Sequence, residues 1–106
     1  MKKILLLILA ITALAFSLSS ISEEAKSEGE AMFEVLGCSS CHGLGGNSTD
    51  EDVPSLAGRD ADWIVQQLER FQSGERQNAI MNAMAPMAEE FEDFIAEYLS
   101  TQELRE

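Results

Sequence analysis

The sequence predicts a small all-α protein with three main helices. Three segments repeat apolar residues at helical spacing, no segment shows the alternation of a strand, and glycines follow two of the segments, where helices commonly end. A chain of 106 residues has room for one domain with a single hydrophobic core. A core this small usually needs an additional stabilising element, such as a cofactor, a metal or disulfides. We therefore expect something besides side-chain packing to stabilise the fold.

Residues 1–22 are predicted to be a secretory signal peptide rather than part of the fold. Two lysines precede an almost unbroken apolar run, which leads into a serine-rich stretch. This order is typical of an exported bacterial protein. The alternative is an uncleaved anchor, since an apolar run of this length can cross a bilayer. The folded domain is then expected at residues 23–106, either free in the periplasm or anchored to the membrane and facing the periplasm.

The first predicted helix ends at Gly37, because glycine suits the left-handed residue that follows a helix. Its apolar face consists of Ala25, Gly29, Met32, Phe33 and Leu36. A long loop, residues 43–58, separates it from the next helix. This loop contains Pro54 and three successive acidic residues at positions 50–52. A loop of this length needs something to pack against.

The second and third predicted helices occupy most of the remaining chain. Asp60 or Asp62 can cap the N-terminus of the second helix, and Gly74 ends it. Its apolar face consists of Ile64, Leu68 and Phe71. The third helix follows the i, i+3, i+4, i+7, i+8 pattern of a helix with one buried face. That face consists of Phe91, Phe94, Ile95, Tyr98 and Leu99.

The charge and the scarcity of certain residue types exclude several classes of function. Asp and Glu number 19 against 7 Lys and Arg, which gives a formal net charge of -12. Because a protein with this much negative charge repels phosphate backbones, no nucleic-acid partner is expected. One histidine and two cysteines also exclude most multi-ligand metal sites and most catalytic triads. The polar chemistry must therefore come from very few side chains.

The sequence Cys38-Ser39-Ser40-Cys41-His42 carries the chemistry. Two thiols separated by two residues, with histidine directly after the second, have the spacing of covalent c-type haem attachment. On one turn of helix both sulfurs can reach the two vinyl groups of one porphyrin, and His42 comes under the iron. We therefore predict one covalent haem c, bound through Cys38 and Cys41, with His42 as an iron ligand.

Three other interpretations of the two cysteines are weaker. A thioredoxin-like redox pair uses the same spacing but sits on a βαβ scaffold, which this pattern of helices does not provide. Structural zinc normally takes four Cys or His ligands, and this chain has three in total. A disulfide between Cys38 and Cys41 would close a very small loop and would stabilise the fold little.

The second axial ligand of the iron is expected to be a methionine. His42 is the only histidine, so two histidines from one chain cannot both ligate the iron, and a thioether is the natural partner. The candidates are Met32, Met81, Met84 and Met87. Met32 precedes the attachment motif on the first helix and is expected to fill the core, and Met87 is expected in the core beneath the third helix.

Five blocks of conspicuous residues follow one another along the chain, namely Gly29-x-x-x-Phe33-x-x-x-Gly37-Cys38-x-x-Cys41-His42-Gly43, Pro54-Ser55-Leu56-Ala57-Gly58, Gln67-Leu68-x-x-Phe71-x-x-Gly74-x-Arg76, Met81-x-x-Met84-Ala85 and Ala96-Glu97-Tyr98-Leu99. Their order resembles the class I cytochromes c of bacteria, and in particular one half of the two-domain dihaem cytochromes c of respiratory chains. The resemblance covers residues 23–106. It implies a small class I cytochrome c fold, with three main helices and loops wrapped around one covalently attached haem.

The resemblance also implies iron ligands and their supports. Met81 matches the first methionine of the family's Met-x-x-Met pattern, which is the ligand there, and Met84 is the alternative. Both are expected in an irregular stretch after Gly74. The carbonyl of the proline matching Pro54 accepts a hydrogen bond from the ligating histidine in the family.

Further residues are expected around the haem or at a helix crossing. Leu56, Ile64 and Leu68 would line the haem, and Arg59, Trp63 and Arg76 are candidate partners of its propionates. Gly29 and Tyr98 mark a helix crossing in the family. The sequence departs from the family at Trp63, where tyrosine is frequent, at Arg59, where glutamine is frequent, and in the stretch 81–98, which is one residue short.

The function expected from the sequence is that of an electron carrier and not an enzyme. A single haem with histidine and methionine ligands would shuttle one electron between respiratory redox partners. The alternatives are a haem enzyme or ligand sensor with a displaceable sixth ligand, and a periplasmic copper-binding protein that uses the spaced thioethers of Met81, Met84 and Met87. The acidic surface favours basic partner proteins, namely an oxidase, a reductase or a dehydrogenase. A monomer is expected, with membrane contact only through an uncleaved signal anchor.

Overall fold

A computed structural model describes residues 23–105, and within that range the chain is helical and contains no strand. The predicted signal segment, with its possible cleavage or anchor role, lies outside the described residues. No helix within residues 23–105 is long and apolar enough to cross a membrane. The elements are α1 (described over 23–35), α2 (Ser39–His42), a 3-10 turn (Leu44–Gly46), α3 (Ala61–Ser73), α4 (Ala79–Met84), a 3-10 segment (Ala85–Phe91) and α5 (Glu92–Ser100).

The end of α1 places the attachment motif. Gly37 adopts a φ of 81°, in the left-handed region that favours glycine. The amide of Cys38 donates to the carbonyl of Phe33 at 3.0 Å, and the amide of Gly37 donates to the carbonyl of Glu34 at 3.0 Å. These two bonds form a Schellman motif, which satisfies carbonyls at the end of the helix and turns the chain sharply. As a result Cys38 occupies the N-cap position of α2, with no capping bond from its side chain.

The second predicted helix is α3, and the structure identifies its caps. The side chain of Asp60 accepts from the amide of Trp63 at 3.1 Å, so Asp60 rather than Asp62 is the N-cap. Asp62 lies in the first turn, where a negative charge suits the helix dipole. The helix ends where Gly74 turns left-handed with a φ of 81°.

The core forms where α1 crosses α5 and where α3 packs against both the 3-10 segment and α5. At the crossing, a Cβ added to Gly29 would collide with the backbone of Phe94 and would approach the Cβ of Tyr98. Glycine is therefore required at that position by space. The rings of Phe33 and Tyr98 cover the crossing, with centroids 5.9 Å apart.

The third predicted helix is α5, which begins at Glu92, so Phe91 is its N-cap rather than part of the helix. The preceding 3-10 segment, Ala85–Phe91, has Pro86 near its start and was not predicted. In a 3-10 helix residues i and i+3 share one face. Ala85 and Ala88 are accordingly buried, whereas Met87 points to solvent and is 54% exposed.

Two apolar side chains are therefore more exposed than the sequence predicts. Met87 was expected in the core beneath the third helix, and its place in the 3-10 segment removes it from there. Phe94 was expected on the buried face of the third helix but lies at the margin of that face, next to Glu24 and Glu28 of α1, and is 40% exposed.

Candidate functional site

The helix α2 is one turn long and carries the Cys-x-x-Cys-His motif. The amide of His42 donates to the carbonyl of Cys38 at 2.9 Å, which closes this turn. Both thiols are free, with Cys38 half-buried and Cys41 exposed. Burial raises the pKa of the Cys38 thiol, and the nearby carboxylate of Glu34 raises it further. The two sulfurs therefore lie on a single turn of helix, as the spacing predicts.

His42 is buried and its ring is oriented by one hydrogen bond. Its side chain is 8% exposed, and Nδ1 lies 2.8 Å from the carbonyl oxygen of Pro54. Because a carbonyl can only accept, Nδ1 carries the proton and donates. This is the hydrogen bond that the resemblance implies. It leaves Nε2 as the ring nitrogen able to bind a metal, and it fixes the orientation of the ring.

The long loop that carries Pro54 packs against the end of α5. The carbonyl of Gly46 accepts from the amides of Leu56 and Ala57 at 2.7 and 3.1 Å, and the amide of Gly58 donates to the carbonyl of Leu99 at 3.0 Å. A Cβ on Gly46 would press against the side chain of Leu99 and the amide of Ala57. The support expected for this loop is therefore the C-terminal helix.

A second tie joins this loop to the C-terminal tail. The carboxamide of Asn47 donates to the carbonyl of Glu103 at 2.9 Å, and its oxygen accepts from the amide of Arg105 at 2.7 Å. Sequence analysis did not single out Asn47, because its partners lie more than 50 residues away.

The candidate methionine ligands lie on a helix that the sequence did not predict. Met81 and Met84, expected in an irregular stretch, both belong to α4 and are both half-buried. Met32 packs against the core cluster, as expected. Met87 lies beyond α4 and is largely exposed. The two candidate ligands, Met81 and Met84, thus lie on one short helix.

Three carboxamides that sequence analysis also missed hold α4 in place. Asn78 caps its N-terminus, Asn82 connects it to the end of α3, and Gln72 of α3 reaches the carbonyl of Ala85 directly after it. A signal existed for Asn78, since asparagine is a favoured N-cap residue. No comparable signal existed for Asn82 or Gln72, because their partners are backbone atoms brought close by the fold.

The remaining predicted haem neighbours divide into apolar and basic groups. Leu56, Trp63 and Leu68 are half-buried and pack against the core cluster, which itself includes Ile64. The guanidinium of Arg59 lies 4.6 Å from the centre of the Trp63 ring.

Arg76, the other candidate partner of the propionates, is held at the end of α3. Its guanidinium stacks on Phe71 at 4.7 Å and donates to Gln67 at 2.7 Å. Both arginines are therefore positioned by aromatic rings, through a cation–π contact.

The donor set fits an iron porphyrin. Two free thiols on one helical turn suit covalent attachment, and a buried imidazole with an oriented free nitrogen suits an axial position. The side chains of the site and the helical fold thus both indicate a protein that binds haem covalently.

The family model for cytochrome c matches residues 27–105, so the chain belongs to the cytochrome c family. It is a bacterial class I c-type cytochrome with an all-α fold, and its cofactor is covalently bound haem c. Cys38 and Cys41 fit the attachment motif of that family.

Two relatives are similar over part of their length. A cytochrome c-552 of Acidithiobacillus ferridurans is 35% identical over 74 residues, which cover 63% of this chain and 32% of the relative. A thiosulfate dehydrogenase electron acceptor of Thiomonas intermedia (strain K12) is 40% identical over 53 residues, which cover 49% of this chain and 24% of the relative. The chain thus spans about a quarter to a third of these relatives.

Proposed function

We propose that this protein is a periplasmic electron carrier with a single haem, attached through Cys38 and Cys41 and ligated by His42 and Met81. The observation that carries the proposal is the hydrogen bond between His42 and the carbonyl of Pro54, made by a buried imidazole beside two free thiols. The family and the names of both relatives support the coarser statement that haem c transfers electrons.

In this proposal His42 and a methionine of α4 would hold the haem iron, which would supply the ferric and ferrous states. His42 is kept in one orientation and one tautomer by Pro54, so little reorganisation of this side chain would be needed on electron transfer. A thioether from α4 would favour the ferrous state and raise the reduction potential. With both of these side chains bound to the iron, no substrate would need to bind.

The assignment of the methionine is tested by replacing each candidate in the haem-loaded protein. Met81→Ala is expected to abolish the weak ferric band near the red end of the visible spectrum, to lower the reduction potential and to admit added ligands. Met87→Ala is the matched control, since its side chain is largely exposed beyond α4. If Met84→Ala abolishes the band instead, Met84 is the ligand. If neither variant does so, the proposed ligation is wrong.

The same spectra decide between the electron carrier and the two other functions. A haem enzyme or ligand sensor would bind added cyanide in the unaltered protein as readily as Met81→Ala does. A copper-binding protein without haem would lack the haem absorption bands altogether.

We further propose that the partners are basic redox proteins. The acidic run at 50–52 is exposed, and Glu89, Glu90 and Asp93 form a second exposed acidic group near the start of α5. The name of the Thiomonas relative favours a dehydrogenase over an oxidase or a reductase as the partner. The negative electrostatic field of these groups attracts basic docking surfaces and increases the rate at which the two proteins meet at low salt.

Electron transfer to small metal complexes of opposite charge tests this steering. Oxidation by a cationic complex is expected to slow severalfold between about 0.1 M and 1 M salt, as the Debye length falls from about 10 Å to about 3 Å. Oxidation by an anionic complex should become faster over the same range. Equal responses to salt would show that the acidic groups do not guide docking.

The periplasmic location and the monomeric state are part of the proposal. The signal-like order of residues 1–22 supports the periplasmic location. N-terminal sequencing of the protein from the periplasmic fraction should show cleavage near residue 22. An intact N-terminus in the membrane fraction would indicate the anchored form instead.

A further inference from the structure

The helix that carries both candidate methionine ligands is too short to be stable by itself. α4 has six residues and contains no buried residue. Isolated helices need about 12–15 residues to form appreciably in water. The position of α4 therefore depends on the contacts that the chain makes at its ends.

Asn82, which lies in α4, makes such contacts with the end of α3 and with the start of its own helix. Its Nδ2 donates to the carbonyl of Phe71, in the last turn of α3, at 2.9 Å and to the carbonyl of Arg76 at 3.0 Å. The carbonyls of a last helical turn lack the usual i+4 partners, and that of Phe71 accepts a second, longer bond from the amide of Gly74 at 3.4 Å, so the carboxamide adds a shorter bond at the end of α3. In the other direction, its Oδ1 accepts from the amide of Asn78 at 2.8 Å.

The bond to Asn78 completes a reciprocal cap at the start of α4. The Oδ1 of Asn78 accepts from the amide of Met81 at 3.0 Å, so Asn78 caps the helix directly at a candidate ligand. Asn82 in turn holds the backbone of Asn78. One half-buried carboxamide thus fixes the start of α4 relative to the end of α3.

The other end of α4 is tied to α3 by a different side chain. Gln72 donates from Nε2 to the carbonyl of Ala85 at 3.1 Å and to the carboxylate of Glu92 at 3.0 Å. Because α4 is fixed at both ends, any movement of the helix that carries its methionine away from the iron strains or breaks at least one of these ties.

We propose that Asn82 is a positioning residue for the methionine ligand and controls how readily an external ligand displaces it. The inference rests on the proposed function, but it holds whether Met81 or Met84 is the ligand, since both lie on α4. An external ligand binds after the methionine leaves, so its apparent affinity depends on the equilibrium between the bound and released arrangements of α4. Removing a tie that exists in the bound arrangement shifts that equilibrium toward release.

The test is a titration of the ferric, haem-loaded protein with imidazole, followed by loss of the red methionine band. Asn82→Ala is expected to lower the half-saturating imidazole concentration at least about tenfold, since two donated hydrogen bonds of ordinary strength are lost. A group that merely supports folding would change the melting temperature without this change in affinity.

Asn47→Ala is the matched control. It also removes a carboxamide with two hydrogen bonds to the backbone, but these bonds connect the long loop to the C-terminal tail. Its half-saturating imidazole concentration is expected within about twofold of the unaltered protein. A change as large as that of Asn82→Ala would overturn the inference, and so would an Asn82→Ala protein that stays within twofold.

Asn82→Asp keeps the test decisive should Asn82→Ala fail to fold. It has the same shape and keeps the acceptor for Asn78, but it places a carboxylate oxygen against the carbonyls of Phe71 and Arg76. The same fall in half-saturating concentration is expected, and its absence would overturn the inference.

Met81→Ala and Met84→Ala are measured in parallel. If Met81→Ala abolishes the red band while both Asn82 variants leave imidazole binding unchanged, the inference fails and the proposed ligation stands. If neither abolishes the band, both fail.

Discussion

The two sides of the proposed haem site are held by different means. On the histidine side, formed by α2 and the loop to Pro54, the ligand is buried and the loop is bonded to the end of α5. On the methionine side, formed by α4, no residue is buried and three carboxamides connect the helix to its neighbours. Burial and covalent attachment fix the first side, and a few polar bonds fix the second.

This difference indicates where the protein can be changed without losing its fold. A hydrogen bond contributes about 1 kcal/mol net, whereas disruption of a packed core costs several times as much. Changes on the histidine side are therefore expected to act on the whole molecule. Changes on the methionine side should act first on ligation.

The largest expected effect comes from removing covalent attachment. The double variant Cys38→Ala, Cys41→Ala should give no haem-stained band after denaturing electrophoresis, and the chain should be largely unfolded, because the cofactor supplies much of the core. Ser40→Ala, on the same turn of helix, is the control and should stain normally. A double variant that stains as strongly as the control would contradict covalent attachment.

The next effect concerns the crossing of α1 and α5. Gly29→Ala puts a Cβ into the backbone of Phe94, and overpacking of this kind costs about 1–3 kcal/mol or more. Gly37→Ala meets no atom within 4 Å but adopts a positive φ, so its cost of about 1–2 kcal/mol is conformational. Denaturant unfolding should rank Gly29→Ala below Gly37→Ala in stability, and the reverse order would show that α1 can move away from α5.

Substitution of one helix N-cap on each side compares how firmly the two sides of the haem site are held. Asp60→Ala and Asn78→Ala each remove one N-cap bond, from α3 and from α4, at a cost of about 1 kcal/mol. For Asp60→Ala, the red band and the far-ultraviolet circular dichroism should be lost together in urea. For Asn78→Ala, the band should disappear at a lower urea concentration than the helical signal. If the red band is lost before the helical signal in both variants, the histidine side is no more firmly held than the methionine side.

The smallest effect is a dependence of stability on pH at Glu92. Burial raises the pKa of this carboxyl above its usual value, and the carboxylates of Glu69, Asp93 and Glu89 raise it further, against the opposing effect of Gln72. The folded state therefore holds the proton more tightly, so stability falls as the pH rises through the folded-state pKa. Glu92→Gln should be more stable at neutral pH by at most about 0.5 kcal/mol after solvent screening. Well below the usual pKa of glutamate the difference should vanish. A variant less stable at neutral pH would contradict this sign.

The sequence was sufficient to predict the features whose signals are local. The spacing of Cys38, Cys41 and His42 fixes the attachment chemistry, and Gly37 and Gly74 both end helices as predicted. The pairing of His42 with Pro54 came from the resemblance to a family and not from physics, because twelve residues of irregular loop separate them.

The features that the sequence did not predict depend on contacts made by the fold. α4 is short, lacks a buried face and follows residues without strong helical periodicity, so its N-cap residue Asn78 is the one local sign of it. The exposure of Met87 follows from a change from α-helical to 3-10 geometry at Pro86, which shifts the buried face by a fraction of a turn. Asn47 and Asn82 bind backbone atoms of distant or neighbouring segments, and no pattern in the sequence marks such partners.

In the proposed haem site, His42 and one methionine of α4 together ligate the iron. Proton NMR of the reduced, haem-loaded protein with labelled methionine methyl groups tests this ligation, because the ring current of the porphyrin strongly shifts a methyl group bound at its centre. We predict a single strongly shifted methyl signal, which disappears in Met81→Ala and persists in Met32→Leu and Met87→Ala. A spectrum without any such signal, or one whose shifted signal belongs to Met32 or Met87, would show that no methionine of α4 binds the iron.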